Sequence, residues 1–117
     1  MVDSEFLKAL ASTSELEITV TGRKSGRRTT LPVWFVYENK KLCLLPVSGS
    51  NTQWYRNLIA NPSLDVSAKG RELSVKATLI SDSRKVNEVV EEFRSKYGAG
   101  EIKKYYSKMD VAVEIFA

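Results

Sequence analysis

Apolar and polar residues alternate along most of this chain, and that pattern predicts β-strands. The alternating stretches are rich in β-branched and aromatic residues and are bounded by turn residues. The strands predicted in this way cover residues 16–21, 30–38, 41–47, 63–68, 71–80 and 111–116. About six short, mostly antiparallel strands in a small chain favour a closed or split β-barrel, because closure removes exposed strand edges, with a sandwich as the alternative.

Apolar residues at helical spacing predict short helices between these strands. The predicted helices cover residues 3–11, 52–60, 83–97 and 101–107. The third has the clearest pattern. Its apolar face carries Val86, Val89, Val90, Phe93 and Tyr97. The expected fold class is therefore mainly β with short helices.

Composition limits the class of protein. The chain has 117 residues, of which 43% are hydrophobic and 27% charged, as is usual for one globular domain, here residues 1–117. No apolar stretch approaches the roughly 20 residues that a membrane span needs. The first residues lack the basic start and apolar core of a signal peptide, so we expect a cytoplasmic protein.

Missing residue types restrict the chemistry further. The chain has no histidine, which excludes imidazole-based triads and histidine-ligated metals. Its single cysteine, Cys43, lies in an apolar strand and is expected to be an inert core residue. We therefore expect no metal site and no catalytic side chain, and an enzymatic activity would depend on a bound cofactor.

The segment from Thr21 to Arg28 concentrates four cations, two glycines and two hydroxyls between two predicted strands. Glycines allow a tight turn, and successive N–H groups in such a turn can bind an anion. Arginine and lysine are the usual partners of phosphate. We interpret the segment as a phosphate-binding turn, with a solvated cationic turn as the alternative. Nucleic-acid binding is disfavoured, because the net charge is only +4 and no second basic run exists.

Three motifs occur together in a known family. They are Thr-Gly-Arg-Lys-Ser-Gly at 21–26, Leu-Pro-Val-Trp-Phe-Val at 31–36 and Gln-Trp-Tyr-Arg-Asn-Leu-Ile-Ala-Asn-Pro at 53–62. In order and spacing they resemble the deazaflavin (coenzyme F420)-dependent nitroreductase family. That family belongs to the split-barrel flavin-binding group, which includes pyridoxamine phosphate oxidase-like proteins. The resemblance implies a split β-barrel, often a homodimer, that binds a flavin or deazaflavin in a groove.

The resemblance also implies roles for the cationic turn, which holds the cofactor phosphate in the family. Carried over to this sequence, it assigns Arg23, Lys24 and Ser25 to phosphate. Arg27 and Arg28 are further candidates from the same turn.

Two other segments carry implied roles. The loop after the third strand lies along the cofactor ring in the family, which corresponds here to Pro46, Val47, Ser48 and Gly49, and a tryptophan-containing helix packs beside it through Trp54. Tyrosines near the C-terminus line the substrate side, which corresponds to Tyr105 and Tyr106.

The chain departs from the family pattern at two places. Thr29 stands where the family has a second phosphate-binding arginine, and Arg28 comes one residue early. One step along a strand turns a side chain to the opposite face, so the pattern leaves open whether Arg28 replaces that arginine. The loop before Trp54 is about two residues shorter than in the family, which leaves the choice between F420 and FMN open.

The function expected from this combination is hydride transfer between F420 or FMN and a small electrophile such as a quinone or nitro compound. Backbone N–H groups of the loop at 46–50 are expected to stabilise charge on the reduced ring. Two alternatives stay open: a protein that carries the cofactor without turnover, and nucleic-acid binding through the basic turn.

Overall fold

The computed structural model describes residues 4–116, so the start predicted for the first helix, at residue 3, lies outside the described part. The strands are β1 (Glu15–Thr21), β2 (Arg28–Trp34), β3 (Val36–Glu38), β4 (Lys41–Leu44), β5 (Ser63–Ala68), β6 (Arg71–Lys76), β7 (Thr78–Ile80) and β8 (Ala112–Phe116). The helices are α1 (Ser4–Ala11), α2 (Gln53–Ala60), α3 (Ser83–Tyr97) and α4 (Ala99–Tyr105), with a 3₁₀ turn at Gly49–Asn51.

The strands form two four-stranded antiparallel sheets, in the orders β2-β1-β5-β6 and β3-β4-β8-β7. The chain passes from the first sheet to the second at Phe35 and again at Ala77. This is a split β-barrel with short helices, and the predicted fold class is confirmed. Eight strands stand where about six were predicted, because each of two long predicted strands bends and continues in the other sheet.

The main core lies between the two sheets. Leu16, Ile18 and Val20 of β1 point inward and are almost fully buried, while the residues between them point outward. The register pairs Val20 with Thr29 and Ile18 with Leu31 on β2. Thr29 and Leu31 therefore share the inward face of the first sheet.

A second core fills the space between the other sheet and α3. It contains the apolar face predicted for that helix, together with Cys43. Burial raises the pKa of the Cys43 thiol to about 12, with a smaller contribution from nearby carboxylates. A buried thiol that stays protonated is unreactive, in agreement with its predicted core role.

Helix α3 begins and ends as its sequence predicts. The Asp82 carboxylate accepts a hydrogen bond of 3.1 Å from the Lys85 N–H, which caps the first turn. Gly98, with φ of +100°, ends the helix. Among residues 4–116, no helix is both long and apolar enough to cross a membrane.

Candidate functional site

A groove of about 690 Å³ opens between β2, the first turn of α2 and the end of α4. Its lining consists of Glu15, Val20, Thr29, Leu31, Pro32, Val33, Trp34, Leu45, Val47, Thr52, Gln53, Trp54, Asn57, Tyr105 and Tyr106. The volume falls within the range of small-molecule sites, roughly 300–1,000 Å³, and the mixture of aromatic and aliphatic walls with a few polar groups is typical of them.

Aromatic side chains form one end of the groove. Trp34 stacks on Tyr97 with ring centroids 4.3 Å apart and planes at 8°. Tyr105 meets Trp34 edge-on at 5.6 Å, and Tyr106 lies at 6.1 Å. Tyr106 is buried, which raises the pKa of its hydroxyl well above the usual range, whereas half of the Tyr105 surface is exposed. The structure thus brings both tyrosines named by the resemblance to the groove.

Tyr97 fixes this end of the groove from behind. Its hydroxyl accepts a hydrogen bond from the Phe35 N–H at 3.1 Å. The same hydroxyl lies 2.6 Å from the Ser14 carbonyl oxygen and 2.9 Å from that of Phe35, and donates its one hydrogen between them. The sequence predicted only that Tyr97 packs on the face of α3. Its hydrogen bonds join the end of α3 to the bend between the two sheets.

The cationic turn lies beside the N-terminal half of α2, next to the groove. The Gly22 N–H donates to the Arg27 carbonyl at 2.8 Å, and the Gly26 N–H donates to the Gly22 carbonyl at 3.0 Å. The Ser25 hydroxyl oxygen accepts from the Arg27 N–H at 3.1 Å. A Cβ atom on Gly22 would lie 2.8 Å from that hydroxyl oxygen, so a larger residue there would displace the Ser25 side chain. Ser25 therefore has a structural role within the turn.

Arg23 connects the turn to the groove. Its backbone N–H and one guanidinium nitrogen donate to Asn57 Oδ1, at 3.2 and 2.7 Å. The other terminal nitrogen donates to Gln53 Oε1 at 2.8 Å. Asn57 and Gln53 both line the groove, so Arg23 holds its polar wall from behind.

Lys24 and Arg27 project from the same turn into solvent. Within residues 4–116, neither side chain has an ion-pair or hydrogen-bond partner. Two unpaired cations next to a wall of amides are available to an anionic ligand.

Arg28 points to the opposite face of the sheet. It donates to the Asp65 carboxylate and, at 3.1 Å, to the Thr21 hydroxyl. Its neighbour Thr29 lines the groove instead. This is the reversal of face that alternation along a strand requires. The structure does not bring Arg28 together with the other candidate residues.

The loop at 46–50 makes its hydrogen bonds within the chain. The Ser48 N–H donates to the Thr52 hydroxyl at 2.8 Å, and the Gly49 N–H donates to the Pro46 carbonyl at 3.1 Å. The Ser50 N–H donates to Asp110 at 2.9 Å. These three donors, expected to face a cofactor ring, are therefore engaged elsewhere. The loop contributes the half-exposed Val47 side chain to the groove.

Gly49 is confined by its own chain. Its φ is +56°, and a Cβ atom would lie 2.1 Å from the Asp110 carboxylate. Hydrogen bonds from Ser50 hold that carboxylate in place and lower the pKa of Asp110. Gly49, which the resemblance placed along a cofactor ring, is thus in close contact with Asp110 of its own chain.

The helix α2 contributes to both core and groove. Trp54 is 5% exposed and lines the groove. The Thr52 hydroxyl oxygen accepts a hydrogen bond from the Ser48 N–H and none from the helix, so α2 has no side-chain cap. The positive end of the helix dipole therefore borders the groove.

Sequence reasoning missed several groove residues. Alternation puts Pro32 and Trp34 on one strand face, the face of Arg28, but does not say which surface that face meets. The groove runs along the edge strand β2 and is lined by residues from both of its faces. No local sequence pattern marks Gln53 as a groove residue, because the residue that holds it, Arg23, lies 30 positions earlier in the chain. In the part of the chain that the structure describes, no three carboxylate or thiol side chains gather to ligate a metal.

Three solved structures have a similar fold. An F420-H2-dependent reductase, FDR-A, is 21% identical, with a TM-score of 0.67 over 87% of this chain and 93% of that one. A chain described as a domain-swapped dimer is 20% identical, with a TM-score of 0.67 over 96% and 92%. The heme storage protein HutZ of Vibrio cholerae is 15% identical, with a TM-score of 0.71 over 97% and 87%. At these identities the similarity shows the split-barrel fold.

The sequence matches a family model across nearly all of its length. The matched segment, residues 6–114, includes the cationic turn, the groove and both sheets except the last two residues of β8. The model describes an uncharacterized protein conserved in bacteria, DUF2255. The chain therefore belongs to the DUF2255 family.

Proposed function

We propose that the groove binds a flavin-type cofactor, F420 or FMN, and that the protein is an oxidoreductase. Its substrate would be a small electrophile such as a quinone or a nitro compound. The observation that carries this proposal is a single arrangement: Arg23 joins an aromatic groove to a turn with two unpaired cations. A cofactor with a planar ring and a phosphate tail fits this arrangement, with the ring in the groove and the phosphate at the turn.

The residues present fit such a cofactor. The groove volume of about 690 Å³ accommodates a tricyclic ring, and Trp34, Val47 and Trp54 provide apolar contact surface. Lys24 and Arg27, both exposed on the turn, would hold the phosphate. Each charge-assisted hydrogen bond contributes about 1.5–3 kcal/mol, so two such contacts make the phosphate a large part of the affinity.

The cofactor supplies hydride transfer at its ring when bound. The chain's own residues orient it and exclude water through the apolar walls. Burial moves the pKa of the Tyr106 hydroxyl further above neutral, so this group stays protonated and offers a hydrogen-bond donor and acceptor. Tyr105 lies at the open rim, where a substrate enters and where solvent can supply protons.

Cofactor carriage without turnover is the second candidate function. The specific observation is that the similar fold of HutZ belongs to a heme storage protein. The absence of histidine from this chain argues against heme itself, because histidine is the usual axial ligand. A carrier of a flavin-type cofactor uses the same groove and the same turn.

We also propose that the protein is a homodimer, as the resemblance implied. One structure with a similar fold is a domain-swapped dimer. Light scattering after gel filtration at micromolar concentration is expected to give twice the chain mass of 13.2 kDa. A monomer mass would contradict the proposal.

A fluorescence titration tests cofactor binding. Wild-type protein is titrated separately with FMN and with F420, and saturable micromolar binding of either is expected. Absence of binding to both would overturn the proposal. An added quinone is expected to reoxidise the reduced cofactor faster when the cofactor is bound to the protein than when it is free in solution. Binding without acceleration would identify the carrier.

A further inference from the structure

We propose that Gln53 determines ligand specificity by donating its side-chain NH₂ to a carbonyl-type acceptor on the ligand ring, and that Arg23 is the residue that positions it. This inference rests on the proposed function and adds to it. It assigns to the groove a preference for rings that present a hydrogen-bond acceptor next to α2.

The orientation of the Gln53 amide follows from its partner. An arginine guanidinium has donors and no acceptor. The Gln53 atom that receives its hydrogen bond, 2.8 Å from the guanidinium nitrogen, is therefore the oxygen. The NH₂ group lies on the other branch of the amide, pointing away from Arg23.

Arg23 is itself firmly held. Its backbone N–H and its other terminal nitrogen both donate to Asn57 Oδ1, at 3.2 and 2.7 Å. A guanidinium fixed at two points makes Gln53 one member of a preorganised unit. Ordering a flexible glutamine on ligand binding normally costs entropy, and this unit reduces that cost.

Gln53 is exposed at the wall of the groove, so its NH₂ group is accessible to a ligand bound there. Gln53 lines the groove, and within residues 4–116 its side-chain nitrogen has no hydrogen-bond acceptor. A ligand that covers this donor without accepting from it loses affinity, because a buried polar group without a partner is unfavourable. The carbonyl oxygens of a flavin-type ring are acceptors of the required kind.

The deciding variant is Gln53→Glu. A carboxylate keeps the shape and the bond to Arg23, but it replaces the NH₂ donor by an oxygen that repels a carbonyl acceptor. We expect the melting temperature to stay equal or rise and the Kd for the ligand to increase at least about tenfold. The matched control is Arg56→Gln, which makes the same change in net charge on the exposed side of the same helix. It is expected to leave the Kd unchanged.

Affinities of wild type and both variants are measured with FMN, F420 and riboflavin, which carries the ring carbonyls and no phosphate. Equal affinities for wild type and Gln53→Glu would overturn the inference while leaving the proposed function intact. If wild type binds neither FMN nor F420, the proposed function fails. The inference about Gln53 is then tested with riboflavin alone, and equal riboflavin affinities of wild type and Gln53→Glu would overturn it. A shift of the Gln53 side-chain NH₂ resonances in an NMR titration with riboflavin supports the inference, and no shift overturns it.

Discussion

Replacing Tyr97 by Phe tests the support behind the aromatic end of the groove. The change removes one hydroxyl and keeps the ring that stacks on Trp34 at 4.3 Å. Phe35 is 2% exposed, and its N–H lies between β2 and β3, where the Tyr97 hydroxyl is its partner. The Phe35 carbonyl retains a hydrogen bond of 2.7 Å from Lys96.

The main loss is therefore one buried N–H left without an acceptor, which costs about 2 kcal/mol of unfolding free energy. For a chain of 117 residues this lowers the melting temperature by about 8 °C. Urea and thermal unfolding followed by circular dichroism measure both quantities. The control is Tyr105→Phe, which removes the hydroxyl of a half-exposed residue and is expected to change stability by less than about 0.5 kcal/mol. Equal effects of the two variants would refute the role assigned to the Tyr97 hydroxyl.

Three further predictions use other parts of the chain. Gly49→Ala is expected to cost about 1–3 kcal/mol more than Gly26→Ala in urea unfolding, because both positions have positive φ but only the first meets Asp110, and equal losses would contradict this. Cys43, whose pKa is raised to about 12, is expected to resist iodoacetamide at pH 8 until the protein unfolds; rapid reaction of the folded protein would be the opposite result. Arg28→Ala is expected to leave cofactor affinity within about twofold, whereas a tenfold loss in the same titration would show that Arg28 reaches the ligand.

Local patterns predicted most of the secondary structure. The helix predicted at 83–97 is α3 as observed, because its apolar spacing and its caps agree. The turns at Asn39-Lys40 and Lys69-Gly70 have the positive φ values of tight hairpins. The bends at Phe35 and Ala77 were not predicted. Alternation continues through both, and their backbone N–H groups find partners far along the chain.

The candidate site also has one part that could be predicted from the sequence and another that depends on the tertiary structure. The cationic turn could be located from sequence because its glycines and cations are contiguous. The partners of Arg23 lie 30 and 34 positions away, so its role in holding α2 is a property of the tertiary structure. Gly49 was predicted to lie along a cofactor ring, and the sequence did not indicate that the Asp110 carboxylate, 61 positions later, lies against it.

The central claim is that Lys24 and Arg27 hold the phosphate of a flavin-type cofactor. Its most direct test is a cycle of four dissociation constants at low salt: FMN and riboflavin, each with wild type and with the double variant Lys24→Ala/Arg27→Ala. F420 and its phosphate-free deazaflavin replace them if F420 is the ligand that binds. The variant Arg84→Ala/Lys85→Ala removes the same charge from the first turn of α3 and serves as control.

We predict that wild type and the control bind the phosphorylated ligand at least about tenfold more tightly than its phosphate-free counterpart. We predict that this advantage disappears in Lys24→Ala/Arg27→Ala, while the affinity for the phosphate-free ligand is unchanged. An advantage that persists in the double variant would contradict the account, because the phosphate would then be held by other residues.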